Sequence, residues 1–293
     1  MMLLKYLNKR VVTIGLILLV IGVAVFVFIR NQSEEVVSST EEKTEEMVRV
    51  RHEVIGRSVQ GRTIDAYTYG SGDTNLMFVG GIHGGYEWNS VVLAYEMMDY
   101  FEANPDLIPS HLSVTIIPSA NPDGLFERVG IEGRITSLDV PPETVNGEGR
   151  FNSNGVDLNR NFDCKWQSES MWRGNVVSAG TAAFSEPEAQ AIRDVVAAVK
   201  PAVVVFWHSQ SNAVYASECE NGILPDTRVA MNTYATAAEY PAIDVFDSYP
   251  ITGDAEGWLA SIGIPAITVE LATHESIEWG RNLAGVTALL ASF

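Results

Sequence analysis

Cysteine is nearly absent from this chain: there are two in 293 residues, Cys164 and Cys219. Neither has a nearby partner, which excludes a thiolate metal cluster. What remains is one disulfide closing a long loop in an oxidising exterior, or two buried thiols. Basic residues are scarce as well, 19 Lys and Arg against 37 Asp and Glu. The formal charge is −18, or −22 once the four cations of residues 1–30 are set aside. A field of that sign repels nucleic acid, so none is expected as a partner. It either favours cationic substrates or merely keeps an exported protein soluble. Internal repeats are missing, and no second shift of composition marks a further domain. Long apolar runs are missing too, with one exception.

That exception is residues 11–29, nineteen uncharged and apolar positions in a row, close to the length a bilayer-crossing helix needs. Lys5, Lys9 and Arg10 precede it and an acid-rich stretch follows Arg30. The positive-inside rule then keeps residues 1–10 cytoplasmic and puts the remainder outside, as a single-pass cell-membrane protein. A cleaved signal peptide is the rival, but the run is long for one and no small-residue cleavage site follows. No cysteine lies near the run to carry a lipid. Residues 31–47 hold six Glu and one Lys with few apolar side chains. Residues 30–48 thus read as an acidic, self-repelling tether with no room for a folded pro-segment. Residues 49–293 are expected to form the folded body.

From about residue 48 onward, short apolar runs alternate with longer amphipathic ones. Residues 76–80, 112–117, 202–207 and 266–271 are brief, β-branched and nearly uncharged, as strands buried on both faces are. Residues 91–101, 188–199, 227–239 and 277–290 have helical spacing. Ser185-Glu186-Pro187-Glu188 predicts a helix start with Ser185 at the cap and Pro in the first turn. The alternation predicts an α/β sheet covered on both faces. Functional side chains gather beyond the carboxyl ends of such strands. His83 follows the 76–81 run, His208 follows 203–207, and Glu270 closes 267–269. With Glu87, one helical turn past His83, they supply two imidazoles, one carboxylate ligand and a separate acid. That donor set suits a zinc ion with an open coordination position.

Seven segments, in order, extend the pattern. They are Gly56-Arg57-Ser58-Val59-Gln60-Gly61-Arg62; Gly80-Gly81-Ile82-His83-Gly84-Gly85-Tyr86-Glu87-Trp88; Asn121-Pro122-Asp123-Gly124; Gly155-Val156-Asp157-Leu158-Asn159-Arg160-Asn161-Phe162; Trp207-His208-Ser209-Gln210; Tyr249 through Trp258; and Thr268-Val269-Glu270-Leu271. Over residues 50–293 the chain resembles a zinc metallocarboxypeptidase of the carboxypeptidase A/B type. The resemblance implies a three-layer α/β/α sandwich around a mixed, mostly parallel twisted sheet, here preceded by one N-terminal transmembrane helix. One feature departs from that family: three residues, not two, separate His83 from Glu87, and Gly84-Gly85 is where the extra one fits.

The resemblance makes His83, Glu87 and His208 ligands of one Zn2+ per chain, with Asp157 orienting His83. Glu270 becomes the general base that activates the attacking water. Asn159 and Arg160 clamp the substrate's terminal carboxylate, and Tyr249 closes over the bound peptide. Arg150 is the candidate for polarising the scissile carbonyl, with Arg128 and Arg134 as competitors. Glu256 falls where side-chain preference is set, which suggests C-terminal Lys or Arg, with Asp254 as a substitute. His52 and His111 are expected at the surface and His274 at the cleft rim or in a loop. The expected function is zinc-activated hydrolysis of the C-terminal peptide bond by a membrane-tethered extracellular monomer. Two alternatives accompany it: a cell-wall peptide (muropeptide) peptidase or amidase, and a non-catalytic peptide-binding pseudoenzyme.

Overall fold

The computed structural model describes residues 50–142 and 147–293. The expected span 11–29 and the tether 30–48 lie outside the described residues. Among the described residues, no helix is long and apolar enough to cross a membrane.

The described residues form ten strands and six α-helices in the order β1 (Arg51–Arg57), β2 (Thr63–Gly70), β3 (Thr74–Val79), α1 (Trp88–Ala103), β4 (Leu112–Ile117), α2 (Pro122–Val129), β5 (Glu169–Trp172), β6 (Asn175–Ser178), α3 (Pro187–Val199), β7 (Val203–Ser209), β8 (Ala213–Ala216), α4 (Pro225–Ala238), β9 (Ala242–Ile243), α5 (Ala255–Ser261), β10 (Ala266–Leu271) and α6 (Trp279–Ser292). Eight strands form one sheet in the order β1-β2-β4-β3-β7-β10-β8-β9, and β5 pairs with β6 as a separate hairpin. The centre of the sheet, β4-β3-β7-β10, is parallel. Antiparallel pairings flank it on both sides. The fold is therefore the expected α/β sandwich around a mixed sheet.

Why the central runs become strands is visible in their burial. Every residue of β4 and β7 is buried, so both faces need cover and an alternating pattern would fail. Val203, Val205 and Trp207 face a core shared with α1, α4 and α6, while Val204 and Phe206 face one shared with α3 and α5. Successive strand residues point to opposite faces. His208 and Glu270 therefore share the face of Phe206, and the parallel register sets them directly opposite each other. One apolar parity thus positions two polar side chains on the same side of the sheet.

The start of α3 differs from expectation. The helix begins at Pro187 with Glu186 as its cap. Ser185 instead donates its hydroxyl to Glu186 and accepts from the Asn161 amide at 3.0 Å. Asn161 Oδ1 holds the Glu186 backbone N–H at 3.0 Å, so a long-range partner displaces the local cap. The two cysteines form a disulfide between the segment after Phe162 and the loop after β8, with Cα atoms 6.0 Å apart.

Candidate active site

Three buried donors converge at the carboxyl edge of β3 and β7. His83, Glu87 and His208 each offer an atom within 4.8 Å of the others. His83 Nδ1 lies 2.8 Å from Glu87 Oε1, and His208 Nδ1 lies 3.0 Å from Glu87 Oε2. Yet Glu87 Oε2 makes no hydrogen bond, so the nearby imidazole N–H direction does not point at it. The other carboxylate oxygen, Oε1, is hydrogen-bonded to His83 Nδ1. A buried carboxylate facing two imidazole nitrogens is a donor set that fits zinc.

The extra residue between His83 and Glu87 is absorbed by a 3-10 turn, Gly84–Glu87, which precedes α1. Gly84 takes a left-handed φ of +45°, and a Cβ there would stand 2.6 Å from the Gly149 carbonyl oxygen. Gly124 and Gly149 are equally tight against each other's backbone. These glycines let the metal-ligand turn, the start of α2 and the loop bearing Arg150 pack backbone to backbone. Asn121 caps α2 through the Gly124 N–H at 2.9 Å and donates to the Arg150 carbonyl at 3.3 Å. The segment around Ser58 lies outside the site and braces it: Ser58 Oγ, the Gln60 N–H and Arg62 all bond Asp123.

Each imidazole of the triad has a carboxylate behind it. His83 Nε2 faces Asp157 Oδ1 at 3.3 Å, and His208 Nε2 faces Glu256 Oε1 at 3.2 Å. Such partners fix the ring and its tautomer and strengthen the nitrogen that binds metal. Asp157 is the expected residue. Glu256 in that position was not legible in the sequence, where it aligned with substrate selection. In the structure it is 3% exposed and also accepts from Thr268 Oγ1 at 3.1 Å, although it lines the cavity.

The remaining expected residues surround a cavity of about 480 Å³. Arg150 lines it, bonds Asp157 Oδ2 through Nη2 at 2.8 Å, and holds Nη1 3.6 Å from Glu87 Oε1. Its competitors are elsewhere: Arg128 pairs with Glu148 and Arg134 with Asp99. Asn159, Arg160, Tyr249 and Glu270 also line the cavity. Arg160 is 2% exposed and leans on the Asn159 and Met171 carbonyls, while its Nε has no partner. Asn159 Oδ1 accepts the Ala255 N–H at 2.8 Å, joining the clamp to the start of α5. Asp254 caps α5 through the Gly257 N–H at 2.7 Å. His274 packs tilted against Tyr86 and bonds Ser209 at 2.7 Å, next to His208. His52 is an exposed partner of Asp65.

The electrostatics separate the acids by role. Burial alone would raise Glu87, but His83 and His208 hold it well below the usual carboxylate range. Asp157 is likewise held low against its burial by Arg150 and His83. At Glu270, burial and the Glu87 charge outweigh the pull of His208 and Arg150 and push it up to about 7. Its Oε2 is buried and unbonded. Two acids kept ionised beside one poised to exchange a proton is the division a metal-assisted hydrolase needs.

Fold and donor set together provide a site that could hold one zinc ion. The chain belongs to the zinc carboxypeptidase family, whose model matches residues 35–278, and enzymes of this family are peptide hydrolases. It is similar to gamma-D-glutamyl-L-diamino acid endopeptidase 1 of Lysinibacillus sphaericus, 24% identical across 74% of this chain and 59% of that protein. It is also similar to murein peptide amidase A of Escherichia coli K12, 30% identical across 44% of this chain and 54% of that one. The chain thus spans little more than half the length of these two curated relatives. The crystal structure of murein-tripeptide amidase from Escherichia coli O157 superposes with a TM-score of 0.58 at 26% identity, covering 83% of this chain and 92% of the other.

Proposed function

We propose that this protein cleaves the peptide bond preceding a C-terminal residue in peptides of the cell-wall type, and that residues 11–29 hold it to the outer face of a cell membrane. The observation that carries the exopeptidase part is Arg160. It is a buried guanidinium that lines the cavity and makes no ion pair among the described residues. A buried charge without a partner is costly, and a planar guanidinium is shaped for a carboxylate. A substrate's terminal carboxylate, with Asn159 beside it, completes that arrangement. The names of the relatives support the cell-wall part. The acids Glu256 and Asp254 in the cavity wall favour a residue whose side chain carries an amine.

His83, Glu87 and His208 would hold the zinc ion, which when bound supplies Lewis acidity to a water and to the scissile carbonyl. Glu270 takes the proton of the attacking water and returns it to the leaving amine. Arg150, fixed by Asp157, places Nη1 toward the same centre and stabilises the developing oxyanion. Arg160 and Asn159 set the depth of the peptide, and Tyr249 covers it.

Release of the C-terminal residue is to be measured on muropeptides and ordinary peptides, each as free acid and as C-terminal amide, with and without chelator. Amidation should lower kcat/KM by about tenfold or more. Equal cleavage of amides and acids would sink the exopeptidase reading. A preference for ordinary peptides would sink the cell-wall reading. Cell fractionation of the full chain beside a form lacking residues 1–30 tests the anchor, which requires only the former to sediment with membranes.

A further inference from the structure

We propose that Trp172, the last residue of β5, is a positioning residue for the hydrolysis: its ring fixes the plane of the Arg150 guanidinium. The proposal rests on the peptidase reading above and adds to it the element that aims one of its side chains.

Arg150 is 3% exposed, so its guanidinium depends on protein contacts. Asp157 supplies one of them, yet Nε at 3.1 Å and Nη2 at 2.8 Å both donate to the same oxygen, Oδ2. The other oxygen, Oδ1, accepts the Asn159 N–H at 3.1 Å and faces His83 Nε2 at 3.3 Å. A fork spread across two oxygens would fix the guanidinium plane. A fork on one oxygen is a pivot, about which the plane can swing. Nη1 stands 3.6 Å from Glu87 Oε1, too far for a hydrogen bond that would close the arrangement. The flat faces of the group remain, and Cζ lies 4.5 Å over the Trp172 ring. Tyr86 is farther, at 5.7 Å. Guanidinium stacks on aromatic faces, and the attraction is greatest where water is excluded.

Trp172 is itself held. Tyr86 and Phe151 meet its ring edge-on, with centroids 5.3 and 6.2 Å away. β5 and β6 pair from Glu169↔Ser178 to Trp172↔Asn175, leaving a two-residue turn. Arg173 and Gly174 in that turn have φ of +47° and +81°, the left-handed pair that matches the twist of a tight hairpin. A slip of one residue would carry the Trp172 side chain to the opposite face. At its other end the hairpin is tied to Asp157, whose N–H donates to the Ser178 carbonyl at 2.9 Å. The residues before Trp172 reach the other substrate groups. The Met171 carbonyl accepts from Arg160 Nη2 at 3.3 Å, and Ser170 Oγ meets Thr252 Oγ1 at 3.0 Å, in the segment that bears Tyr249. One short strand thus touches the oxyanion arginine, the carboxylate clamp and the closing loop.

A tryptophan on a cavity wall can also serve as plain apolar surface for the peptide. The two roles differ in what they change. A wall binds ground state and transition state alike, so its loss raises KM. A ring that aims Arg150 matters as charge develops, so its loss lowers kcat.

The test compares Trp172→Leu and Trp172→Phe in the full-length, zinc-loaded protein, alone and combined with Arg150→Lys, with melting temperatures checked. Trp172→Leu should lower kcat by about tenfold or more with KM within about twofold. Trp172→Phe keeps an aromatic face and should recover most of the loss. In the Arg150→Lys background the leucine change should cost little further, because both act through one group. In parallel, nitrogen-15 NMR follows the Arg150 Nε–H, assigned by its absence from Arg150→Lys. Trp172→Leu should shift that signal and speed rotation of the guanidinium. A raised KM at unchanged kcat, an undiminished loss in the Arg150→Lys background, or an Arg150 signal untouched by Trp172→Leu overturns the proposal. If the wild type cleaves no peptide, the peptidase reading falls while NMR still decides whether Trp172 holds Arg150.

Discussion

Replacing Glu256 tests how the metal centre is held, because its burial allows the effect to be worked out without discounting for solvent. His208 and Glu256 are 2% and 3% exposed, and the carboxylate accepts from both the imidazole and Thr268. A Glu256→Gln change keeps an acceptor opposite His208 Nε2 but removes its charge. Charge-assisted hydrogen bonds contribute roughly 1.5–3 kcal/mol against about 0.5–1.5 for neutral ones. The loss of about 1–1.5 kcal/mol corresponds to roughly five- to twelvefold weaker zinc binding. Glu256→Ala removes the acceptor altogether, and loss of such an outer partner weakens metal binding by about 10–100-fold. Competition against a chromophoric chelator measures both, with near-ultraviolet dichroism confirming the fold. Selection of substrate by Glu256 alone makes a different prediction: a raised KM with zinc affinity unchanged. A folded Glu256→Ala protein that binds zinc within about twofold of wild type would refute the positioning argument.

Other outcomes follow from the same geometry. Glu270→Gln should lower kcat by about 10²–10⁴-fold while zinc stoichiometry stays at one, since Glu270 stands outside the ligand set; near-normal turnover would show that another group is the base. Because burial and Glu87 push Glu270 up to about 7, and a bound cation draws it down, activity should fall as pH drops through a midpoint at or below about 7. A flat kcat/KM profile from about pH 4 to 8 is the result that argues against this base. Gly149 holds φ +73° and a Cβ there would stand 2.4 Å from the Gly124 carbonyl oxygen, so Gly149→Ala should cost about 1–3 kcal/mol from backbone conformation alone and displace Arg150; unchanged stability and kcat would show that the close approach is not required. The disulfide spans a sequence separation of 55, and removing it through Cys164→Ser with Cys219→Ser should cost about 4 kcal/mol on a loop-closure model. Chemical denaturation in oxidising and reducing buffer measures that loss, and equal midpoints would contradict it.

The centre of the sheet was legible because full burial removes the need for alternation. The runs in β3, β4, β7 and β10 are buried along most of both faces and nearly free of charge, and few other structures explain such runs. The flanking strands were harder to read. β1 is exposed along most of its length and β9 has two residues, so neither carries a pattern distinct from loop. The hairpin β5–β6 brings Trp172 and Arg173 to the cavity wall from a polar stretch with no apolar period. The two histidines of the metal triad were legible because they lie at or just past strand ends, where a polar residue after an apolar run stands out, and Glu87 follows one helical turn beyond His83. Glu256 was not, since its contact with His208 spans 48 positions and depends on how α5 lies over the sheet.

Net charge was the least informative property of the sequence. A formal charge of −18 suggests a field that draws in cations. The cavity wall nevertheless presents Arg150, Arg160, Lys165 and Arg173 beside its acids. Arg150 is spoken for by Asp157, but Arg160 and Arg173 have no acidic partner within ion-pair distance among the described residues. Screening confines a surface field to about 8–10 Å at physiological salt, so the distant acids add little inside a lined pocket. What a substrate meets there is set by those few nearby cations and acids. A ligand carrying both signs satisfies that wall better than a simple cation, which is why site composition rather than global charge bears on specificity.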